Sequence, residues 1–361
     1  MNLDFHYYAT YFAACEAGFG CEQAKEIAWS AQMVDELTPK LAKDKKLEKL
    51  ENKDYVITCE EIRNNIEDDF SILSDEKNDT LQKVRKIWVP FHFLPGNLPN
   101  EDSVLDYTGK KNWGTIEYKE RDQKDFACMC RPNSKLAEEM INDTVEKINS
   151  QTFKEDKLNL IGIRMHVLAD TWAHQFFVGS PNYWVNDVSN VKTTEEIGNT
   201  TTPRGISNYE IVYLGHGRIG HLPDLGYAEY SYQPRWSEDK EQIDNEERFL
   251  NAYRQMVCAM KCILQNRSFD FEQCEGSTND NLSVIKDSID YRSDKEKDIC
   301  GHWEKVQIRN SKGKEIAAPE KFRVTDNNTK LYIFAKAAKY HRDFVIEKVN
   351  KAFPEDNPYF Y

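Results

Sequence analysis

The amino-acid sequence predicts an all-α protein, a multi-helix bundle with long loops and a small β-hairpin near its C-terminus. Three observations carry this. Apolar residues recur at helical spacing in separate stretches along the chain. Between residues 179 and 236 no long helix is evident, and Tyr, Trp, Gly, Asn, Thr and Pro dominate. The run Val306-Gln-Ile-Arg-Asn-Ser-Lys-Gly-Lys-Glu-Ile reads as a short hairpin turning at Ser311-Lys312-Gly313.

Residues 4–18 and 21–37 form two helices joined at Gly18-Phe19-Gly20, with Ile27, Ala28, Ala31 and Val34 at helical spacing in the second. From 39 to 82 Lys, Asp, Glu and Asn dominate, a solvated surface excursion of helix and loop. Residues 84–93 return to the core and deliver His92, and 96–131 are loop-rich. Residues 134–149 form an amphipathic helix with Asn133 or Ser134 as its N-cap. A buried helix spans 156–177. The stretch 179–236 is long for a structureless loop in a compact domain, and such loops are usually functional. Helix returns over 237–265 with Phe249, Tyr253, Met256, Val257 and Met260, then over 295–306. A terminal helix, 330–352, sets Leu331, Phe334, Ala338 and Val345 on one side. The expected organisation is a helical domain over 1–265 and a C-terminal helical region over 266–361 packed on it, or one domain throughout.

The 361 residues are enough to bury a substantial core. Mean hydropathy is -0.73, and no apolar run approaches the ~20 residues that span a bilayer. Met-Asn-Leu-Asp-Phe-His has no basic or apolar leader pattern, so a cytoplasmic location is expected. The net charge of -13 argues against non-specific binding to duplex nucleic acid, which draws on Lys and Arg. It leaves room for a nucleotide or lipid headgroup held by local cations. The nine cysteines are an odd count without framework or zinc-ribbon spacing, read as free thiols of a reducing compartment. No phosphate-binding glycine loop, His-Glu-x-x-His or adjacent His-Asp occurs, which sets aside nucleotide-loop proteins, zincin proteases and HD-type phosphohydrolases.

The most informative segment is Met-His-Val-Leu-Ala-Asp-Thr-Trp-Ala-His-Gln at 165–175. His166, Asp170 and His174 follow at four-residue steps, so they share one helix face and climb roughly 12 Å along it. A His–metal bond is about 2 Å, so one ion is poorly placed to take both histidines. Two ions bridged by Asp170 fit well. Other histidines sit in aromatic or Gly-flanked settings suited to a buried pocket: His6 in Asp-Phe-His-Tyr-Tyr and His92 in Pro-Phe-His-Phe. In Gly-His-Gly-Arg-Ile-Gly-His-Leu-Pro-Asp, Gly215, Gly217 and Gly220 let the backbone bend so that His216, His221 and Asp224 converge. His302 and His341 lie in late, charged helices and are read as structural.

Taken in order, the candidates are His6, Asp35, His92, His166-x-x-x-Asp170, His174, His216 or His221, and Asp224. This order resembles the zinc-dependent phospholipase C and S1/P1 nuclease superfamily, all-α hydrolases with a tri-metal cluster. The opening Asp-Phe-His-Tyr-Tyr-Ala-Thr-Tyr, with Ala31-Gln-Met-Val-Asp35 and the Ala-Asp-Thr-Trp-Ala-His helix, is also similar to a bacterial family with no assigned activity. The first resemblance implies two or three divalent metal ions, zinc foremost. His166, Asp170 and His174 would be core ligands with Asp170 bridging, and His6, Asp35, His92, His216, His221 and Asp224 would complete the shells. In the secreted phospholipases the N-terminal amine also binds a zinc; here Asp4 is expected in that place. Their last pair is His-x-x-x-Glu, whereas this chain has His221-x-x-Asp224 with His216 as competitor. Asp35 or Asp4 would serve as ligand or as base for water, and Arg218 would grip a phosphate. Trp172, Tyr183, Trp184, Tyr227 and Tyr230 would stack on a base, line a lipid groove or simply fill the core. The implied activity is metal-dependent hydrolysis of a phosphodiester or phosphomonoester, with a small phosphoester, nucleotide or lipid headgroup as partner. The alternatives are a phospholipase C-type lipid hydrolase and a non-catalytic, metal-stabilised binding domain.

Overall fold

The computed structural model describes residues 1–47, 55–60, 76–108, 120–150, 157–193, 213–274, 281–293, 295–310 and 312–361. Much of the expected polar excursion, part of the 179–236 stretch, Asp156 and Ser311 lie outside them. The chain opens on a π-helical turn, Asp4–Ala9, that runs directly into α1, Thr10–Ala17. Gly18 ends α1 at φ 113°, and the Phe19 and Gly18 amides donate back to the Ala14 and Cys15 carbonyls. That is a left-handed helix stop that glycine adopts without strain. α2 follows over Cys21–Glu36 and α3 over Pro39–Asp44, the latter capped by Thr38 with proline in its first turn. α4, Asp79–Phe91, is capped by Asn78 and ends immediately before His92.

α5 spans Glu120–Ala127 and α6 spans Lys135–Asn149, where the Ser134 hydroxyl accepts from the Ala137 amide at 3.1 Å. α7, Lys157–Ala173, is the expected central helix, and almost every residue in it is buried. A helix apolar all round belongs inside the protein, and α2, α9 (Asn245–Gln265), α12 (Asn328–Lys351), α6 and α4 pack about it. The approach of α2 is closest at Gly162. A Cβ there would stand 2.2 Å from the Ile27 carbonyl oxygen and 2.6 Å from the Ser30 Cβ.

The long stretch after α7 is more ordered than its composition suggested. It holds α8, Tyr183–Asn186, and an antiparallel sheet of β1 (Val188–Thr193), β2 (Glu229–Pro234) and β3 (Glu241–Asp244), in the order β1-β2-β3. Pairing runs from Val188 opposite Pro234 to Thr193 opposite Tyr230, and Tyr230 faces Ile243 across the other pair. Tyr230 and Tyr232 point inward onto a small core with Phe93, Phe177, Ile219 and Leu222. The expected helix over 237–265 therefore begins only at Asn245, capped by Asp244.

α10 (Leu282–Ile289) and α11 (Glu296–Trp303) lead to the expected hairpin, β4 (Gln307–Arg309) and β5 (Glu315–Ala317), with Ile308 opposite Ile316. The protein is mainly α-helical, with twelve α-helices and two small sheets among the described residues. One hydrophobic cluster runs from Met1 to Phe360, so the elements after residue 265 share a core with those before it. Among the described residues no helix is long and apolar enough to cross a membrane.

Candidate metal centre

Five segments converge on the C-terminal half of α7. The π-helical turn contributes His6, the end of α2 Asp35, and the C-cap of α4 His92. α7 and the residue after it contribute His166, Asp170 and His174. Two short 3₁₀ turns, Gly217–Ile219 and Leu222–Asp224, frame His216 and Asp224. π-turns are uncommon and gather at functional sites. The glycine-rich loop bends for a local reason: Gly215 has φ 52°, and a Cβ there would lie 2.2 Å from the Phe93 ring.

Three imidazoles are held by backbone carbonyls. His92 Nε2 donates to the Thr58 carbonyl at 2.9 Å, His174 Nδ1 to the His92 carbonyl at 2.7 Å, and His216 Nδ1 to the Gly220 carbonyl at 2.8 Å. A carbonyl only accepts, so each bond fixes a proton on the outer nitrogen and turns the other ring nitrogen inward. His92 Nδ1 then lies 3.4 Å from His166 Nε2, 3.5 Å from Asp170 Oδ2 and 3.7 Å from Asp35 Oδ1. His174 Nε2 lies 3.2 Å from Asp224 Oδ1, and His216 Nε2 lies 3.7 Å from Asp224 Oδ2.

His6 stacks on His166 with ring centres 3.7 Å apart, and their Nε2 atoms meet opposite oxygens of Asp170 at 3.2 and 3.1 Å. Both His6 nitrogens, His166 Nδ1 and Asp170 Oδ2 are buried and make no well-aligned hydrogen bond among the described residues. Unpaired polar atoms at this depth are costly, and several together mark a place built for something else to bind. Among the described residues, donor atoms fall into three groups, each within 4.8 Å: His6, His166 and Asp170; Asp35, His92 and His166; His174, His216 and Asp224.

The Met1 amino group lies between the carboxylates, 2.9 Å from Asp170 Oδ1, 3.2 Å from Asp224 Oδ1 and 3.5 Å from His174 Nε2. Burial would lower this ammonium, but Asp170, Asp224 and Asp35 hold it up at about 11. Burial would likewise raise the Asp170 carboxyl. His174, the ammonium, His166 and His6 outweigh that and keep it well below the usual carboxylate range. The ammonium, His216 and hydrogen bonds from His174 and His221 do the same for Asp224 against burial. Burial and neighbouring cationic groups push His6 and His216 down to about 4, so both are neutral imidazoles near pH 7. Burial also acts downward on His92, but Asp170, Cys59 and Asp35 raise it to about 10. A cation entering beside His92 competes with that proton. The site as a whole attracts positive charge.

Three expected site residues sit elsewhere. The His221 side chain is 86% exposed, with Nδ1 3.6 Å from Asp224, and it stands at the rim outside the three donor groups. The loop closes His216 inward onto the Gly220 carbonyl, and Gly220, at φ 60°, turns the next residue outward. Arg218 does not face the cleft; its Nε donates to Asp187 at 3.0 Å and its guanidinium lies over the Tyr213 ring. Asp4 is buried outside all three groups, and burial raises its carboxyl to about 6. The Met1 amine, and not Asp4, lies beside Asp170 and Asp224.

The cleft over this cluster encloses about 440 Å³, and no Lys or Arg is among the described residues lining it. Its aromatic walls are Trp88 and Phe93. None of the five aromatics singled out from the sequence lines it: Tyr183 and Trp184 flank Arg235, and Trp172 donates to Gln255. Gln32, Cys59 and Trp88 line the cleft and were not anticipated. Gln32 stands one helical turn before Asp35, the one sequence signal available for it.

Neither the curated proteins nor the solved structures hold a match to this chain. One family model matches residues 1–349, so the chain belongs to DUF6765, a family of unknown function.

Proposed function

We propose that this protein is a metal-dependent hydrolase of phosphoric esters that uses two or three divalent cations, zinc foremost. The observation that carries the reading is the inward convergence of ring nitrogens of His92, His174 and His216, each ring fixed by a backbone carbonyl, around Asp170 and Asp224. Such carbonyl contacts to the far nitrogen are the usual second shell of metal-bound histidine. A donor set rich in imidazole with a few carboxylates suits zinc. Asp170 offers one oxygen to His6 and the Met1 amine and the other to His166 and His92. Asp170 would therefore be the residue to hold two cations. The order of the motifs, which resembles that of the zinc phospholipase C and S1/P1 nuclease superfamily, supports the same assignment.

When bound, the cations would lower the pKa of a water toward about 7 and neutralise phosphoryl oxygens. The chain's own residues do the rest. With no Lys or Arg among the described lining residues, the positive charge that the cleft itself offers a phosphate comes from the Met1 ammonium and His92. Asp35 keeps 30% side-chain exposure, against 1% for Asp170, and faces His6, His92 and His166 within 4.0 Å. It is the carboxylate placed both to ligate and to take a proton from water at the cleft face. The buried floor of His6, His166 and Asp170 excludes bulk water.

The cleft volume fits a headgroup or nucleotide-sized ester. Among the described residues the exposed large apolar ones, Val104, Leu264, Val284, Tyr291 and Tyr361, do not line it, which favours a soluble phosphoester over a lipid interface. The test is metal content by plasma mass spectrometry on wild type and Asp170→Ala, with hydrolysis of bis(p-nitrophenyl) phosphate alongside. The expected result is about two or three zinc equivalents that fall together in the variant, as a bridged cluster requires. Turnover should be lost in His166→Ala and kept in a surface variant. Zero or one equivalent, unchanged by removing Asp170, would overturn the proposal. Full occupancy without turnover on any phosphoester would identify a metal-stabilised binding domain instead.

A further inference from the structure

Gln32 lines the cleft but belongs to none of the three donor groups. It stands on α2 one helical turn before Asp35 and Glu36, so the three share a face of that helix. The residue is only 3% exposed. Its Nε2 donates to Glu36 Oε1 at 3.2 Å. A carboxylate oxygen accepts, so this bond fixes which edge of the amide is nitrogen and turns the carbonyl edge away from Glu36. Gln32 Oε1 is buried and makes no well-aligned hydrogen bond among the described residues. An amide oxygen at that depth costs free energy until a donor reaches it. The described lining holds no Lys or Arg, and Glu296, the first residue of α11, adds a further acceptor to it. The Met1 ammonium is engaged by Asp170 and Asp224.

We propose, resting on the phosphoester reading, that Gln32 selects the substrate: its Oε1 accepts a hydrogen bond from an O–H or N–H group on the organic arm of the ester. The substrate class is then a phosphoester whose alcohol carries a hydroxyl or ammonium donor. Asp35, which follows Gln32 on the same face of α2, belongs to the donor group with His92 and His166, so an ester held there lies beside Gln32. A plain alkyl arm would leave the buried oxygen unpaired, and the loss of that bond is what discriminates against it. An arm with a further phosphate or carboxylate would also meet Asp35 and Glu296 with like charge.

The test is calorimetric titration of the zinc-loaded full chain with phosphonates, whose P–C bond ester hydrolysis does not cleave. Two matched pairs are used: 2-hydroxyethylphosphonate against ethylphosphonate, and 2-aminoethylphosphonate against its N-trimethyl analogue. Members of a pair carry the same charge and differ in the donor. In wild type the donor-bearing member of at least one pair should bind about tenfold tighter, the worth of one net hydrogen bond. The pair that shows the preference separates hydroxyl from ammonium. Gln32→Met, similar in shape but without the amide acceptor, should abolish the preference, with zinc content and ethylphosphonate affinity unchanged. Gln32→Glu, which keeps an acceptor oxygen, should retain it. Equal binding within both pairs, a preference that survives in Gln32→Met, or loss of zinc from that variant overturns the proposal and leaves the metal reading standing. Zinc-loaded protein that binds none of the four phosphonates overturns the phosphoester reading, and the proposal falls with it.

Discussion

His216 and His221 share one loop and one neighbour, Asp224, yet only His216 turns its free nitrogen into the cluster. His216→Ala should weaken zinc binding by more than ~100-fold, beyond the cost of losing an outer-shell partner. His221→Ala should stay within ~10-fold, the lower bound of that same range. Competition with a chromogenic chelator measures both, and equal losses would mean that the loop rearranges around the ion. Sequence alone left this choice open because the backbone at Gly220, not side-chain type, decides it. The histidines and carboxylates that do come together were visible as residue types in buried settings at helical spacing. What stayed hidden was the backbone contribution: the Met1 amine and the carbonyls of Thr58, His92 and Gly220 have no signature in a pattern of side chains.

Among the elements, the pair α2 and α7 holds Asp35 opposite His166, and their spacing is set by Gly162. In an isolated helix Gly→Ala gains roughly 1 kcal/mol from propensity. Here the added methyl would sit 2.2 Å from a backbone oxygen of α2 that belongs to a rigid helix. Overpacking of that kind costs about 3 kcal/mol, so the net effect of Gly162→Ala should be destabilising. The urea midpoint should fall with the slope unchanged, and a stabilised variant would show that the two backbones part at no cost. α7 itself was legible because its apolar residues run all round it for many turns. The three-stranded sheet was not. β1 reads Val-Ser-Asn-Val-Lys-Thr, β3 has four residues, and β2 buries tyrosines that composition alone assigns equally well to a loop. Short helices such as α5 and α10 escaped for the same reason, since eight residues give little more than two turns of pattern.

For the molecule as a whole, a second buried polar network, anchored on α4 by Arg85, joins distant parts of the chain. Asp125 accepts from Arg85 at 2.8 Å, from the Tyr359 hydroxyl at 2.7 Å and from Asn182 at 2.9 Å, and Arg121 lies 3.5 Å away. Tyr359, close to the end of the sequence, is fully buried under the Arg85 guanidinium, which lies 4.2 Å from its ring centre. Burial alone would raise the Asp125 carboxyl. The two arginines and the two hydrogen bonds outweigh it and hold Asp125 below its ordinary value of 3.8. A carboxyl depressed in the folded state stabilises fully above its unfolded pKa, and that share is lost as pH falls through the lower, folded value. Asp125→Asn should cost about 3–5 kcal/mol near neutral pH, because it leaves Arg85 buried without its counter-charge. The amide resembles the protonated acid, so wild type and variant should approach each other as pH falls below 3.8. Urea unfolding of both proteins across that range decides the matter. A gap that stays constant down to the acid end would mean that Asp125 contributes shape and hydrogen bonds rather than charge.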